Sequence, residues 1–264
     1  MYDIIIIGAG PAGLTAAIYA RRAEKKTLLI EATTYGGQII NTLDIENYPV
    51  EAHISGYDFA TKLYNQAKEL GAEIVYEKAE KIEENGNEKI VKTDENEYKT
   101  KAVIIATGSK NRKLGLENED ELIGRGISYC ATCDGAFYKD KTVAVVGGGN
   151  TALEDALYLS DIAKLNADKK LESVEVTNKD GETKTINVNG LFVAVGRTPA
   201  NEEFKDMVNL DEAGYAVAKE DCLTGKPGIF VAGDNRTKEV RQLVTATSDG
   251  AIAATAAIKY LATL

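Results

Sequence analysis

The apolar pattern opens with an unbroken run at residues 4–7, four isoleucines in succession, which predicts a parallel strand buried on both faces. Residues 14–22 follow a helical period, with Ala, Ile and Tyr packing inward. Arg21 and Arg22 close that helix, where its dipole favours cations. A second apolar run, 27–30, ends in Glu31. Strand, helix and strand make one βαβ unit with an acid at the tip of the second strand. Further on, 58–71 predicts a helix with a glycine stop and 73–75 a strand. The polar stretch up to Thr100 predicts a hairpin, and 102–106 another buried strand running into Thr107-Gly108.

The pattern then restarts. Residues 142–146 predict a strand, 147–149 a turn and 152–164 a helix. Residues 174–177 and 185–188 predict a hairpin turning on Asp180-Gly181. The run 191–195 is a strand ending in Gly196-Arg197, which repeats the hairpin–strand–glycine order of 88–108. The second copy is shorter than the first. Only residues 165–173 separate its helix from its hairpin, too few for a return strand like 27–31. From Glu202 the chain rejoins the first domain, with a buried strand at 228–234, ending in Gly233-Asp234, predicted beside the first strand and an Ala- and Thr-rich helix at 242–264. The expected fold is α/β: two Rossmann-like nucleotide-binding domains, the second inserted in the first and truncated. The expected boundaries are 1–113 with 198–264, and 114–197.

Composition narrows the function. A chain of 264 residues can bury two cores. A net charge of −10 argues against a nucleic-acid partner. No stretch has the apolar length of a membrane span. The first run follows Asp3 and leads straight into glycines, so it reads as a strand and not a signal peptide. Three cysteines, two of them in a CxxC, favour a reducing compartment, the cytoplasm.

The first glycine fingerprint, Gly8-Ala9-Gly10-Pro11-Ala12-Gly13, stands between strand and helix with Glu31 beyond. That context seats a pyrophosphate on free helix N–H groups and ribose hydroxyls on the acid. Gly233-Asp234 follows a buried strand; its acid either holds a cofactor hydroxyl or caps the strand end. Cys130-Ala131-Thr132-Cys133-Asp134 has three readings. A zinc half-site lacks further ligands, since only Cys222 and His53 remain, and no metal site is expected. Two inert thiols have no need of this spacing. A redox pair has both the spacing and an adjacent proton carrier, Asp134, and is preferred. His53 reads as a surface or packing residue and Cys222 as a structural thiol. The second fingerprint, Gly147-Gly148-Gly149-Asn150-Thr151-Ala152, also follows a strand and precedes a helix. Lys164, Lys169 and Lys170 lie beyond that helix and read as a solvated helix end.

These residues resemble the low-molecular-weight, bacterial-type thioredoxin reductases over nearly the whole chain. The resemblance is carried by 7–14, Tyr35-Gly36-Gly37-Gln38, Glu46-Asn47-Tyr48-Pro49, 105–108, 127–135, 147–160, 195–199, 228–234 and Arg241-Gln242 through 254. It implies a homodimeric flavoprotein that passes electrons from FAD through the Cys130/Cys133 dithiol to thioredoxin. It also implies that the inserted domain rotates to present the dithiol. Gly8, Gly10, Ala12, Gly13 and Glu31 would bind the ADP part of FAD. Gly37, Gln38, Asn47, Thr107, Gly108, Gly233, Asp234, Arg241 and Gln242 would line the rest. Cys133 would face the flavin ring, Cys130 attack the thioredoxin disulfide, and Asp134 carry the proton. Gly147, Gly149, Asn150, Ala152, Glu154 and Arg197 would form a residual NADPH site.

Two departures from the family stand out. The His-Arg-Arg…Arg segment that grips the 2′-phosphate of NADPH is missing, at the place where the second copy is short. Val50 replaces the usual glycine after Asn47-Tyr48-Pro49. Three readings follow for the electron supply: NADPH at a minimal site, a ferredoxin-type protein donor, or a catalytically silent flavin-binding protein.

Overall fold

A computed structural model describes residues 1–160, 173–178 and 181–264. It divides the chain into two compact units, Met1–Lys110 with Thr198–Leu264, and Asn111–Arg197.

In the first unit the elements run β1 (Tyr2–Ile7), α1 (Pro11–Arg22), β2 (Thr27–Glu31), α2 (Gly56–Glu69), β3 (Glu73–Tyr76), β4 (Ala79–Asn85), β5 (Glu88–Thr93) and β6 (Glu97–Ile105). The short strand β7 (Ser109–Asn111) then carries the chain across the boundary. The sheet order is β3-β2-β1-β6-β5-β4. β1 pairs in parallel with β2 on one edge (Ile4 opposite Thr27) and with β6 on the other (Ile4 opposite Ala102). Its isoleucines are fully enclosed because both edges and both faces are covered. Ile4 and Ile6 pack with α1 residues on one side; Ile5 and Ile7 pack with Phe204, Val208 and Ala216 on the other. Each such side chain is worth about 1.5–3 kcal/mol of burial. α1 starts at Pro11, three residues before the periodic pattern, since proline at the first helical position brings a suitable φ and no unmet N–H. α2 is capped by Ser55, whose Oγ accepts the Asp58 N–H at 3.0 Å.

The second unit contains α3 (Glu119–Leu122), β8 (Ile127–Ser128), α4 (Ala131–Asp134), β9 (Val143–Val146), α5 (Asn150–Ser160), β10 (Ser173–Thr177), β11 (Thr183–Asn187) and β12 (Gly190–Val193). β12 is buried between two parallel neighbours, β8 and β9. β9 pairs only with β12 among the described residues, and its four residues are half-buried where those of β1 are enclosed. β10 and β11 form the expected hairpin as a separate two-stranded sheet, whereas β4 and β5 continue into β6. The predicted helix end at 161–164, the lysines 164, 169 and 170, and the turn residue Asp180 lie outside the described residues.

The chain returns through β13 (Arg197–Pro199) to β14 (Ile229–Val231) and α6 (Leu243–Leu261). β14 was expected beside β1; it pairs instead with β6, Ile229 opposite Val103. Both edges of β1 are already taken. β6 is nine residues long, and pairs its first half with β5 and its second half with β14.

Val50 occupies a strained position. Glu51 N–H closes a tight turn on the Tyr48 carbonyl at 3.2 Å, and Val50 adopts φ +81° there while fully exposed. A β-branched residue rarely accepts that conformation. Val50→Gly is therefore expected to stabilise the protein, the relief of strain exceeding the entropy lost to glycine by a few tenths to about 1 kcal/mol. A rise in midpoint on chemical denaturation checks it.

Candidate active site

In the first unit the fingerprint glycines serve different ends. Gly8 has φ +106°, and a Cβ there would lie 2.4 Å from the Ala106 carbonyl oxygen. A Cβ on Gly13 would lie 1.8 Å from the Gly8 carbonyl oxygen. These two glycines let the turn close. Gly10 is different, because a Cβ there would meet only Gly37 Cα, at 4.0 Å. Gly10 is the N-cap of α1 and brings no side chain to the free N–H groups of the first turn, and no acid lies in that turn. An anion suits this place. Glu31 accepts the Ala9 N–H at 2.7 Å and the Thr33 N–H at 2.9 Å. Its carboxylate therefore shapes the loop and keeps acceptor capacity for hydroxyls.

Gly37, Thr107 and Gly233 come from distant segments to meet this turn, and further predicted residues contact one another in the same unit. Gly37, at φ +59°, would place a Cβ 3.3 Å from Gly10 Cα, and Gln38 follows it in a short 3₁₀ turn. Asn47 donates to Gln242 Oε1 at 3.2 Å, and Gln242 caps α6 through a reciprocal pair with Thr245. Ala12 lies 3.0 Å from where a Gly233 Cβ would stand. Thr107, followed by Gly108 at φ +68°, accepts from Asn235 Nδ2 at 3.2 Å. The Arg241 guanidinium stacks 4.2 Å over the Tyr215 ring, and its Nε is buried with no hydrogen-bond partner among the described residues. An open glycine, an uncapped helix start and an orphaned buried donor fit a large anionic cofactor such as FAD.

In the second unit Cys130 and Cys133 form a disulfide, their Cα atoms 5.3 Å apart. Cys130 is the N-cap of α4, and its carbonyl accepts the Asp134 N–H at 3.1 Å. Burial raises the Asp134 pKa, an effect partly offset by a hydrogen bond from Ser128 Oγ at 2.6 Å. The same Ser128 oxygen accepts the Cys130 N–H at 3.1 Å. One hydroxyl thus joins the dithiol turn to the acid. Tyr138 is also raised, first by burial and then by the Asp134 charge.

The second fingerprint repeats the first in its tight member. A Cβ on Gly147 would lie 2.4 Å from the Ala194 carbonyl oxygen and 2.7 Å from Ala152 Cβ. Gly148 and Gly149 have nothing within 4 Å, so packing does not require them to be glycine. Asn150 begins α5, and Glu154 is exposed on it. Arg197 bears electrostatically on Asp155, whose pKa is raised by burial and Glu154 and lowered by Arg197.

His53 is exposed and hydrogen-bonded to Asp44 at 2.9 Å, which raises its pKa. Asp44, Glu46 and His53 bring their polar atoms within 4.8 Å of one another on the surface. Cys222 is buried and unoxidised; burial and the Asp249 charge push its thiol up to about 12. Sequence reasoning missed Ser128, Asn235, Arg236 and Asp249. Ser128 had a signal, lying two residues before the dithiol in a matching segment. Asp249 had one too, as the sole acid in α6.

The sequence pattern of the pyridine nucleotide-disulphide oxidoreductases matches residues 2–168 and 161–250. The thioredoxin reductase of Listeria innocua is 42% identical over 300 residues, covering 99% of this chain and 94% of the relative. The crystal structure of thioredoxin reductase from Streptococcus pyogenes superposes with a TM-score of 0.94 at 39% identity, covering 100% of this chain and 99% of that one. Thioredoxin reductase from Giardia duodenalis gives 0.92 at 34% identity, with 99% of both chains covered. The chain belongs to the pyridine nucleotide-disulphide oxidoreductases, within them to the bacterial-type thioredoxin reductases, and is a flavoprotein oxidoreductase. The family pattern is matched in two pieces that meet at 161–168, and the 300-residue alignment is longer than the 264-residue chain. Both findings agree with a shortened segment between α5 and β10.

The glycine geometry makes a test. Gly147→Ala is expected to destabilise the second unit by about 2–4 kcal/mol, because the clash is with backbone. Gly148→Ala and Gly149→Ala are expected to leave the melting temperature within a degree or two and to weaken nicotinamide-nucleotide binding. Thermal melts beside nucleotide titrations separate packing from ligand contact.

Proposed function

We propose that the protein reduces the disulfide of thioredoxin, with FAD held by the unit of residues 1–113 and 198–264 and the exchange performed by Cys130 and Cys133 in residues 114–197. The observation that carries this reading is the dithiol turn with its half-buried acid: Cys130, Cys133 and Asp134 joined through Ser128. Gly8, Gly10, Ala12, Gly13, Glu31, Gly37, Gln38, Asn47, Thr107, Gly108, Gly233, Asp234, Arg241 and Gln242 are the residues that would hold FAD. When bound, FAD supplies a two-electron carrier between a nicotinamide donor and the disulfide.

The reduced dithiol completes the chemistry. The Cys130 thiolate attacks one sulfur of the thioredoxin disulfide and releases the other as a thiolate, forming a mixed disulfide. Cys133 then attacks Cys130 Sγ, closing the Cys130–Cys133 disulfide and releasing thioredoxin with two thiols. Asp134, neutral to a higher pH than an ordinary aspartate, gives its proton to the first departing thiolate, recovers one from Cys133 and passes that one to the second departing thiolate, ending as the carboxylate. Disulfide electrons and protons balance: two of each leave the enzyme and two arrive on thioredoxin.

NADPH is the donor of the family, and Gly147, Gly149, Asn150, Ala152, Glu154 and Arg197 form the site that would receive it. The 2′-phosphate grip is absent from the sequence. Charge-assisted hydrogen bonds to such a group are worth about 1.5–3 kcal/mol each, roughly one to two powers of ten in affinity. NADPH and NADH are therefore expected to bleach the bound flavin with apparent affinities within about tenfold of each other in an anaerobic titration. Strong preference for NADPH would show that other residues read the phosphate; bleaching by reduced ferredoxin alone would give the enzyme a protein donor. Assembly as a homodimer and residence in the cytoplasm are part of the same proposal; no described helix is long and apolar enough to cross a membrane.

Cys133→Ser is expected to keep FAD bound and to abolish thioredoxin reduction; retained turnover would remove the dithiol from the mechanism. Since Asp134 acts as an acid, turnover is expected to fall as pH rises through its pKa. Ser128→Ala removes a hydrogen bond that favours the charged form, and so is expected to move that fall to higher pH. A pH profile of thioredoxin reduction reads the shift, and an unmoved profile would sink the role given to Ser128.

A further inference from the structure

Outside the dithiol turn, a buried polar cluster centres on Asp249, the one acid of α6, which is 2% exposed. Its Oδ2 accepts from the Gly233 N–H at 2.9 Å, from Arg236 Nε at 2.8 Å and from Lys238 Nζ at 2.9 Å. Its Oδ1 accepts from Arg236 Nη2 at 2.8 Å. Arg236 is fully buried; it also donates to the Thr237 carbonyl at 2.9 Å and lies 3.3 Å from the exposed Glu220. A carboxylate needs one cation to be neutralised, and this one faces two cations and a backbone N–H, all from the segment 233–238.

The same stretch of α6 is seated on the fingerprint helix. A Cβ on Gly250 would lie 2.2 Å from the Ala12 carbonyl oxygen, so no side chain fits between α6 and the first turn of α1. Gly233 also approaches Ala12, its Cβ position 3.0 Å from Ala12 Cβ. Arg241 Nη2 donates to the Arg236 carbonyl at 3.3 Å, which extends the cluster to the residue that stacks on Tyr215.

We propose that Asp249 is the positioning residue of the flavin cradle, one carboxylate that fixes Gly233, Asp234 and Arg241 against the fingerprint turn of Gly8–Gly13. It touches no reacting atom and acts through the Gly233 N–H and the Arg236 backbone. The inference rests on the flavin-binding reading of this unit and adds to it the side chain that sets the cradle's shape.

The test measures FAD affinity and stability together, on the full-length holoprotein. Serial dilution of wild type, Lys238→Met, Asp249→Ala and the double variant, followed by recovery of free flavin fluorescence, gives each FAD dissociation constant. Thermal unfolding of the same samples gives stability. Lys238→Met removes a cation and spares the Gly233 bond; it is expected to change FAD affinity less than threefold. Asp249→Ala is expected to weaken it at least tenfold. The double variant restores the balance of buried charge and recovers melting temperature, so it keeps the test open if Asp249→Ala alone does not fold. FAD affinity still weakened tenfold in the double variant supports the positioning role, since a purely structural ion pair would recover both properties together. Wild-type affinity in the double variant, or FAD loss that merely follows melting temperature across all variants, overturns it. If wild type itself binds no FAD, the flavin reading fails instead, so the two failures are distinguishable.

Discussion

Both halves of this chain depend on one close approach. A parallel strand ends in a glycine whose missing Cβ leaves room for the carbonyl at the end of the neighbouring strand. In the first unit the pair is Gly8 and Ala106, in the second Gly147 and Ala194, and in each the Cβ position falls 2.4 Å from the oxygen. No other residue type fits. The approach turns the chain out of the sheet at the point where the next helix begins, and so aims free N–H groups at one spot. An internal duplication that is imperfect in length is thus well preserved at this contact.

The halves part company one strand later. β1 has parallel neighbours on both edges and its isoleucines are enclosed. β9 has one neighbour among the described residues, and every one of its residues is partly exposed. In a doubly wound sheet the strand after the fingerprint helix carries the residue that reads the adenosine ribose. Glu31 at the end of β2 fills that place in the first unit, holding the fingerprint loop through Ala9 as it does so. In the second unit no described strand between α5 and β10 offers a counterpart. The second glycine turn and the dithiol both rest on described strands: Gly147 packs on the end of β12, and Ser128 lies in β8, which also pairs with β12.

Much of this was legible in the sequence because the signals are local. An apolar run, a glycine triplet and the onset of helical period lie within a dozen residues, and each constrains the next. The dithiol was legible for the same reason. The place of β14 was not, because strand neighbours depend on which edges are free, and nothing in 228–231 records that β1 is already paired on both sides. Asp249 was harder still. Its partners lie eleven to sixteen residues back, across a strand end and a loop, and its meaning comes from burial that the alternation of Ala and Thr around it does not reveal. Val50 was visible as an oddity, but its positive φ required the turn to be seen.

Two aspartates, Asp249 buried and Asp134 half-buried, show how hydrogen-bond partners set which carboxyl stays ionised and which takes up a proton more readily. Burial penalises the charge of both. At Asp249 the hydrogen bonds from Arg236 and Lys238 outweigh that penalty and hold the carboxyl below the ordinary range, so it stays ionised and ties its neighbours down. At Asp134 the sole hydrogen-bonding influence on its titration is the neutral Ser128 hydroxyl, burial prevails, and the carboxyl stays protonated to a higher pH. A group meant to move a proton gains from such marginal stabilisation, since neither of its states is locked. The contrast is set by the partners alone: two cations from the loop 233–238 in one case, a single serine from β8 in the other.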